Sequence, residues 1–311
     1  MAKSTSNLRF DKIQSSIESG IALAQDDRRN RWKAIGELER LAGAKVCMYY
    51  SQRNRTLSQF DTLPFYQMLK SMGAVRDLDL IVVSPGGDGT AAETILDLCR
   101  KHCTGRLRVV VPLYAKSAAT LIALGADEIV MGETSELGPI DAQVFIIENN
   151  AEQQVSAEHF LRARDEAIKN LGSDQAEIVQ AAQIQLASLG PAFLQHCSDL
   201  MAFAKDFAGK QLRVHMLKDE HDKDEAACES QIERVVSNLT SSSRRLFHGR
   251  MITAQEIRDD PDLRCLKVAE LASDDPYWLS LNELLLRTEI VATSNNIGKV
   301  LFAKGFQLVS A

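Results

Sequence analysis

The stretch Leu107–Gln143, LRVVVPLYAKSAATLIALGADEIVMGETSELGPIDAQ, sets the frame for the rest of the chain. It opens on a continuous apolar run, Val109, Val110, Val111, Pro112 and Leu113, whose length and β-branched content predict a strand buried on both faces. Lys116 and Ser117 follow at once. Ala118 to Leu124 are small or apolar all round, which predicts a buried helix with Ser117 at its positive, N-terminal end. A serine there has two readings: an N-cap that accepts from the first helical N–H groups, or a nucleophile.

Upstream, Leu78, Asp79, Leu80, Ile81, Val82 and Val83 read as a second strand, ending in Ser84, Pro85, Gly86, Gly87, Asp88 and Gly89. Both strands thus run into turns of small polar residues that feed helices. In an open parallel sheet such turns share the carboxyl edge, where sites are built. A Gly-Gly turn leaves a backbone N–H uncovered by any side chain, as a developing oxyanion requires, although glycine pairs also serve turns that need positive φ.

Taken together, SPGG at 84–87, AKSA at 115–118, ADEIVMG at 126–132 and ELGPID at 136–141 resemble the serine dehydrogenase proteinase family, within the Clp protease and signal peptide peptidase A group of serine peptidases. The resemblance is strong over 78–143 and fainter over 44–77 and 244–270. It implies an α/β fold, a crotonase/Clp-protease-like spiral of βαβ units with helical additions at both ends. It implies a serine endopeptidase acting through a Ser117 acyl-enzyme, with the N–H groups of Gly87 and Ala118 as the oxyanion hole. A protein or peptide substrate, a homo-oligomer and no cofactor are the corresponding expectations. An acyl-CoA enzyme on the same fold and a catalytically inactive interaction subunit remain the alternatives.

A serine hydroxyl is a poor nucleophile until a base takes its proton. In Clp-type enzymes that base is a histidine shortly after the serine's helix and the next strand, and here Pro139, Ile140 and Asp141 stand there instead. Where the Clp pattern has its late acid, ahead of Thr253-Ala254-Gln255-Glu256, this chain has His248. The expectation is therefore a permuted set: Ser117 as nucleophile, His248 as base, Asp141 as orienting carboxylate. Lysine is the competitor, because peptidase A relatives use a Ser-Lys dyad. Lys169 lies in the matching range but within a charge-rich helical sequence, where a solvated side chain is the simpler reading. Lys116 adjoins Ser117, and neighbouring side chains at a helix start diverge, so it reads as an electrostatic or substrate-binding group.

The chain as a whole is ordinary in composition: 311 residues, 45% hydrophobic and 25% charged, as is usual for a globular protein. A net charge of −6 and the lack of an aromatic-interleaved basic stripe argue against a nucleic-acid ligand. MAKSTSNLRFDK lacks the apolar core of a signal peptide and no run is long enough to span a membrane, so the expectation is cytoplasmic. Six cysteines without CxxC spacing read as free thiols. Cys99, His102 and Cys103 could share a helix face, but two further ligands are missing, so no metal site is expected. The expected division is a helical segment at 1–43, a catalytic domain at 44–270 and an extension at 271–311, a helix from Tyr277 and a hairpin about Lys304-Gly305. Phe10, Ile13, Ile17 and Ile21 mark an amphipathic helix. Arg28, Arg29 and Arg31 read as a solvated face before a second helix at Trp32 to Leu41. Beyond Asp141 the pattern turns helical, with helices at Phe160 to Leu171, Ala176 to Leu189 and Ala192 to Phe207 separated at Gly172 and Gly190-Pro191; 218–229 reads as a charge cluster in an exposed helix or loop, and Thr253 with Glu256 as a capping box.

Overall fold

The structure, a computed structural model, describes residues 23–148, 151–241 and 249–310. Helix α1 (Leu23–Ala42) leads into β1 (Lys45–Ser51), α2 (Thr62–Met72), β2 (Leu78–Val83), α3 (Gly89–His102) and β3 (Leu107–Val111). Then come β4 (Tyr114–Ala115), α4 (Ala118–Leu124), β5 (Glu128–Met131), β6 (Glu136–Leu137), β7 (Gln143–Glu148) and β8 (Ala151–Ser156). The later part holds α5 (Ala157–Asn170), α6 (Ala176–Ser188), α7 (Pro191–Gln211), a π turn at Leu212–Met216, α8 (Lys218–Lys223), α9 (Glu225–Thr240) and α10 (Ala254–Asp259). The chain closes with β9 (Val268–Glu270), α11 (Pro276–Ser294), β10 (Lys299–Ala303) and β11 (Phe306–Ser310). The amphipathic stretch at Phe10–Ile21 and His248 lie outside the described residues.

This is an α/β protein built on a mostly parallel sheet, with strand order β11-β10-β1-β2-β3-β5-β9. Strands β1, β2, β3, β5 and β9 are parallel, and β10 and β11 are added antiparallel at one edge. The parallel strands follow one another in sequence order, so crossovers of one hand all fall on one face. The alternation of side chains along the strands agrees. Cys47, Tyr49, Leu78, Leu80 and Val82 pack with α2, α3 and α4, whereas Val46, Met48, Tyr50, Ile81 and Val83 pack with α1 and α11. Strand β2 is buried at all six positions, which is why LDLIVV reads as continuous rather than alternating. Each such side chain removed from water contributes about 1.5–3 kcal/mol. Asp79 is the exception within the run, and it is fully partnered by the Arg108 guanidinium and by Tyr277 Oη at 2.9 Å.

Two readings change in the structure. Residues 143–156 form the β7–β8 hairpin, not helix. Its alternation was hidden because both faces of β7 carry apolar residues, Val144 buried and Phe145 and Ile147 exposed. Arg31 is not on a solvated face: it is 2% exposed and pairs with Asp27 at 2.7 Å, while Arg28 and Arg29 are exposed. The C-terminal hairpin turns at Lys304-Gly305, with Gly305 at φ 84°, and it packs by pairing β10 with β1, which widens the central sheet. The charge cluster forms α8 and the start of α9. Thr253 Oγ1 accepts from Glu256 N at 3.2 Å and caps α10. Among the described residues no helix is long and apolar enough to cross a membrane.

Candidate active site

The site begins where β3 leaves the main sheet. Pro112 has no N–H to continue the ladder, and two residues on, β4 pairs with β6 instead. There the two strand ends are fastened together: Ser84 N donates to Tyr114 O at 2.9 Å and Lys116 N donates to Ser84 O at 3.0 Å. On the opposite side Leu57 N donates to Gly86 O at 2.7 Å and Asp88 N to Leu57 O at 2.9 Å. In this parallel pairing the groups flanking Gly87 meet Leu57, so the N–H of Gly87 itself points away from it. Gly86 and Gly87 have φ of 97° and 140°. A Cβ on Gly86 would stand 2.7 Å from Ser117 Cβ, and one on Gly87 would collide with the Leu57 backbone. Only glycine allows backbone to approach backbone this closely.

Ser117 adopts φ 49°, ψ −118°, a conformation that L residues avoid and that costs about 1–3 kcal/mol. Its hydroxyl makes no capping hydrogen bond to α4. Of the two readings of this serine, capping is therefore not what the side chain does. Ala118 is the first helical residue, so its N–H has no intrahelical partner. Among the described residues, neither Gly87 N nor Ala118 N has a backbone acceptor. Ala118 N lies 3.1 Å from the Cβ position of Gly86, which brings both turns to one place. Helix α4 is buried at all seven positions, and Thr120 Oγ1 ties it to Ala115 O at 2.6 Å and accepts from Gly138 N at 3.1 Å. Among the described residues, the arrangement presents a hydroxyl without a partner, two unused N–H donors and a positive helix end on two adjoining turns.

The other expected residues are distributed unevenly. Asp141 is buried at 3% exposure, accepts from Gln143 Nε2 at 2.8 Å, and follows Ile140, whose N–H donates to Leu239 O at the end of α9. Lys116 turns away from the solvent: its Nζ is 3.0 Å from Glu136 Oε2 and within 3.2–3.4 Å of the carbonyls of Leu137, Arg250 and Gly249. Burial lowers its pKa below the ordinary lysine value, with Glu136 opposing. Lys169 is exposed on α5, which packs against α6 and α7, while α4 packs against α3 and α7. The structure does not bring Lys169 to Ser117. His248 lies outside the described residues, and the segment that follows it, Gly249–Ile252, runs beside Lys116 and pairs with Leu137.

Gly86, Leu57, Glu136 and Arg53 were not singled out for roles in the sequence. Arg53 stacks 4.4 Å over the Tyr114 ring and stands 4.0 Å from Glu136. Only Gly86 carried a local signal, as half of the glycine pair; the others become neighbours through the fold. Among the cysteines and histidines weighed for metal, Cys103 Sγ donates to Arg76 O at 3.1 Å and His102 Nδ1 meets Leu98 O at 2.9 Å. A cleft of about 440 Å³ lies elsewhere, lined by Glu93, Asp97, Arg100, Lys210 and His215, with no serine or cysteine in it. Burial and then Arg100 push His215 down to about 4, so it is neutral at pH 7.

Part of the chain is similar to a known family. Residues 31–179 match the family described as ClpP-like SDH-type serine proteinase, a stretch that includes β1 to β5, both turns and Ser117. That part of the chain is similar to this family. Two curated proteins of Methanocaldococcus jannaschii also match part of the chain. The uncharacterized protein MJ1495 is 34% identical over 127 residues, 37% of this chain and 42% of that protein. The uncharacterized protein MJ0137 is 46% identical over 69 residues, 22% of this chain and 24% of that protein. The chain thus matches less than half the length of either relative. Among solved structures, ClpP1 from Listeria monocytogenes aligns over 78% of this chain and 96% of its own, at 13% identity and a TM-score of 0.33. The 1510-N membrane-bound stomatin-specific protease, as a mutant with a substrate peptide, aligns over 79% of this chain and 96% of its own, at 12% identity and a TM-score of 0.32.

Proposed function

We propose that the chain is a serine endopeptidase whose nucleophile is Ser117. One observation carries the reading: an uncapped hydroxyl at a positive-φ turn, packed against Gly86 beside two unused backbone N–H donors. In the proposed reaction Ser117 Oγ bonds to the scissile carbonyl carbon as its proton passes to the imidazole of His248. The oxyanion accepts from the N–H groups of Gly87 and Ala118 at the start of α4, where preorganised donors are worth roughly 10²–10³-fold in rate. Collapse breaks the C–N bond, the departing amine takes the proton from the imidazolium, and water then hydrolyses the acyl ester. Asp141 orients His248. Two facts support His248 as the base: Gly249, its neighbour in sequence, has its carbonyl 3.4 Å from Lys116 Nζ, and Lys116 itself is enclosed by oxygens. Exposed Phe60, Leu63, Phe145 and Ile147 support a homo-oligomer, and six free thiols support a reducing, cytoplasmic setting.

Labelling with a fluorophosphonate tests the reading. Ser117 is expected to be the acylated residue, and labelling of a Ser117→Ala protein at the wild-type rate would overturn the assignment. His248→Ala and Asp141→Asn should each slow acylation by orders of magnitude, as loss of a base or of its orientation does. Sedimentation of dilute protein as only a 34.4 kDa species would refute the oligomer.

A further inference from the structure

Lys116 stands next to the proposed nucleophile, yet its chemistry is directed elsewhere. Its side chain is 12% exposed, and four oxygens surround the nitrogen: Glu136 Oε2 at 3.0 Å, Leu137 O at 3.2 Å, Arg250 O at 3.2 Å and Gly249 O at 3.4 Å. An ammonium donates three hydrogen bonds and accepts none, so this shell suits the charged form. A neutral amine would turn its lone pair towards an oxygen rather than a hydroxyl, which argues against Lys116 as the base. The stem has a prepared path. Gly138 lies under it, and a Cβ there would stand 2.6 Å from Lys116 Cδ.

The oxygens belong to two segments remote in sequence. One is β6, in the stretch that continues to Asp141; the other is the return at Gly249–Ile252. They also pair directly, through Leu137 N to Ile252 O at 3.0 Å and Ile252 N to Leu137 O at 3.1 Å. That single antiparallel bridge joins the two segments to each other but not to the Ser117 turn. Pairing with β4 and the contacts of Thr120 Oγ1 with Gly138 already hold β6 beside the Ser117 turn. Lys116 adds the direct tie from that turn to Gly249 and Arg250, because its own backbone N–H is fixed to Ser84 O while its Nζ reaches their carbonyls. The charged groups facing it are Glu136 from β6 and, across Glu136, Arg53 from the loop after β1.

We propose that Lys116 is a positioning residue, whose ammonium staples the Gly249–Ile252 segment, across β6, to the Ser117 turn and so fixes the walls of the site around the nucleophile. This rests on the reading of Ser117 as nucleophile. Lys116 touches no reacting atom. Its effect comes through geometry, where displacement by an ångström costs about 10²-fold, and through the field it adds beside the base.

The experiment measures the rate of fluorophosphonate acylation at Ser117 against pH in wild type, Lys116→Met and Gly138→Ala, with thermal unfolding of each. Lys116→Met should acylate about 10²-fold more slowly. Its acid limb should also move to higher pH, because losing the cation and exposing Glu136 both favour the protonated base. A limb that does not move, with the protein folded, would leave Lys116 only a packing role and overturn the inference, as would an unchanged rate. Should Lys116→Met not fold, Gly138→Ala decides, since it keeps the charge but displaces the stem: slowed acylation in a folded protein supports the staple, an unchanged rate defeats it. Wild-type protein that is not acylated at Ser117 at all removes the peptidase reading and the staple with it, and so differs from failure of the staple alone.

Discussion

Lys116, half-buried, and Arg31, buried, are both cations drawn out of solvent, but the fold holds them in different ways. Lys116 is set between the Glu136 carboxylate and backbone carbonyls of β6 and the Gly249–Ile252 segment, beside Ser117 at positive φ and, among the described residues, two unused N–H groups. Arg31 is set among side chains: Asp27 at 2.7 Å on its own helix, Gln307 at 3.0 Å from β11 and the Phe302 ring of β10 at 4.8 Å, with Arg287 of α11 a further 3.5 Å from Asp27. Burial raises the Asp27 carboxyl and lowers Arg31, so desolvation outweighs the attraction within that pair. A buried charge does not by itself mark a site. Strain and unsatisfied backbone donors beside it do, because folding has no use for them.

Substitutions on the two sides should separate chemistry from stability. The largest effect is expected at Ser117→Gly, which should abolish acylation while raising stability by about 1–3 kcal/mol, because glycine accepts the backbone that serine resists. A lower unfolding midpoint than wild type would show that the strain is not there. On the other side, Asp27→Ala should cost about 3–5 kcal/mol by leaving Arg31 buried without its partner. Acylation at Ser117 per folded molecule should stay unchanged. Joint replacement, Asp27→Leu with Arg31→Met, should recover most of the loss in a urea titration, and a double variant as unstable as the single one would mean that the ion pair is net favourable.

Next in size is Gly87→Ala, where the new methyl meets the Leu57 backbone and must shift the turn. Peptide turnover should drop about 10²–10³-fold, the cost of one oxyanion donor. Wild-type turnover in folded Gly87→Ala would remove that donor from the comparison. The smallest effect belongs to Lys169→Ala on the exposed face of α5, within about 0.5 kcal/mol in stability and without effect on acylation. A dead but folded Lys169→Ala protein would restore the Ser-Lys alternative and break the assignment of the site to the sheet's carboxyl edge.

The parallel half of the sheet was legible because its signals are local. Runs such as Leu78–Val83 and Val109–Val111 announce strands buried on both faces, and Gly86-Gly87 and Lys116-Ser117-Ala118 announce the turns that follow. The β7–β8 hairpin was not, since apolar residues on both faces of β7 erase the period-2 pattern. Arg31 was misread for another reason. Whether its helix face is wet depends on α11, β10 and β11, which arrive from the far end of the chain.

By itself, then, the sequence determined the βαβ succession, the serine turn, the glycine pair facing it and the C-terminal hairpin, all properties of neighbouring residues and their backbone preferences. Only the tertiary structure decided which way Lys116 turns, that Gly86 rather than Gly87 touches Ser117, that Lys169 stays outside, and that the last two strands complete the first one's sheet. The reason is physical. A side chain's partner and its desolvation are set by whatever segment packs across it, and no local pattern records which segment that will be.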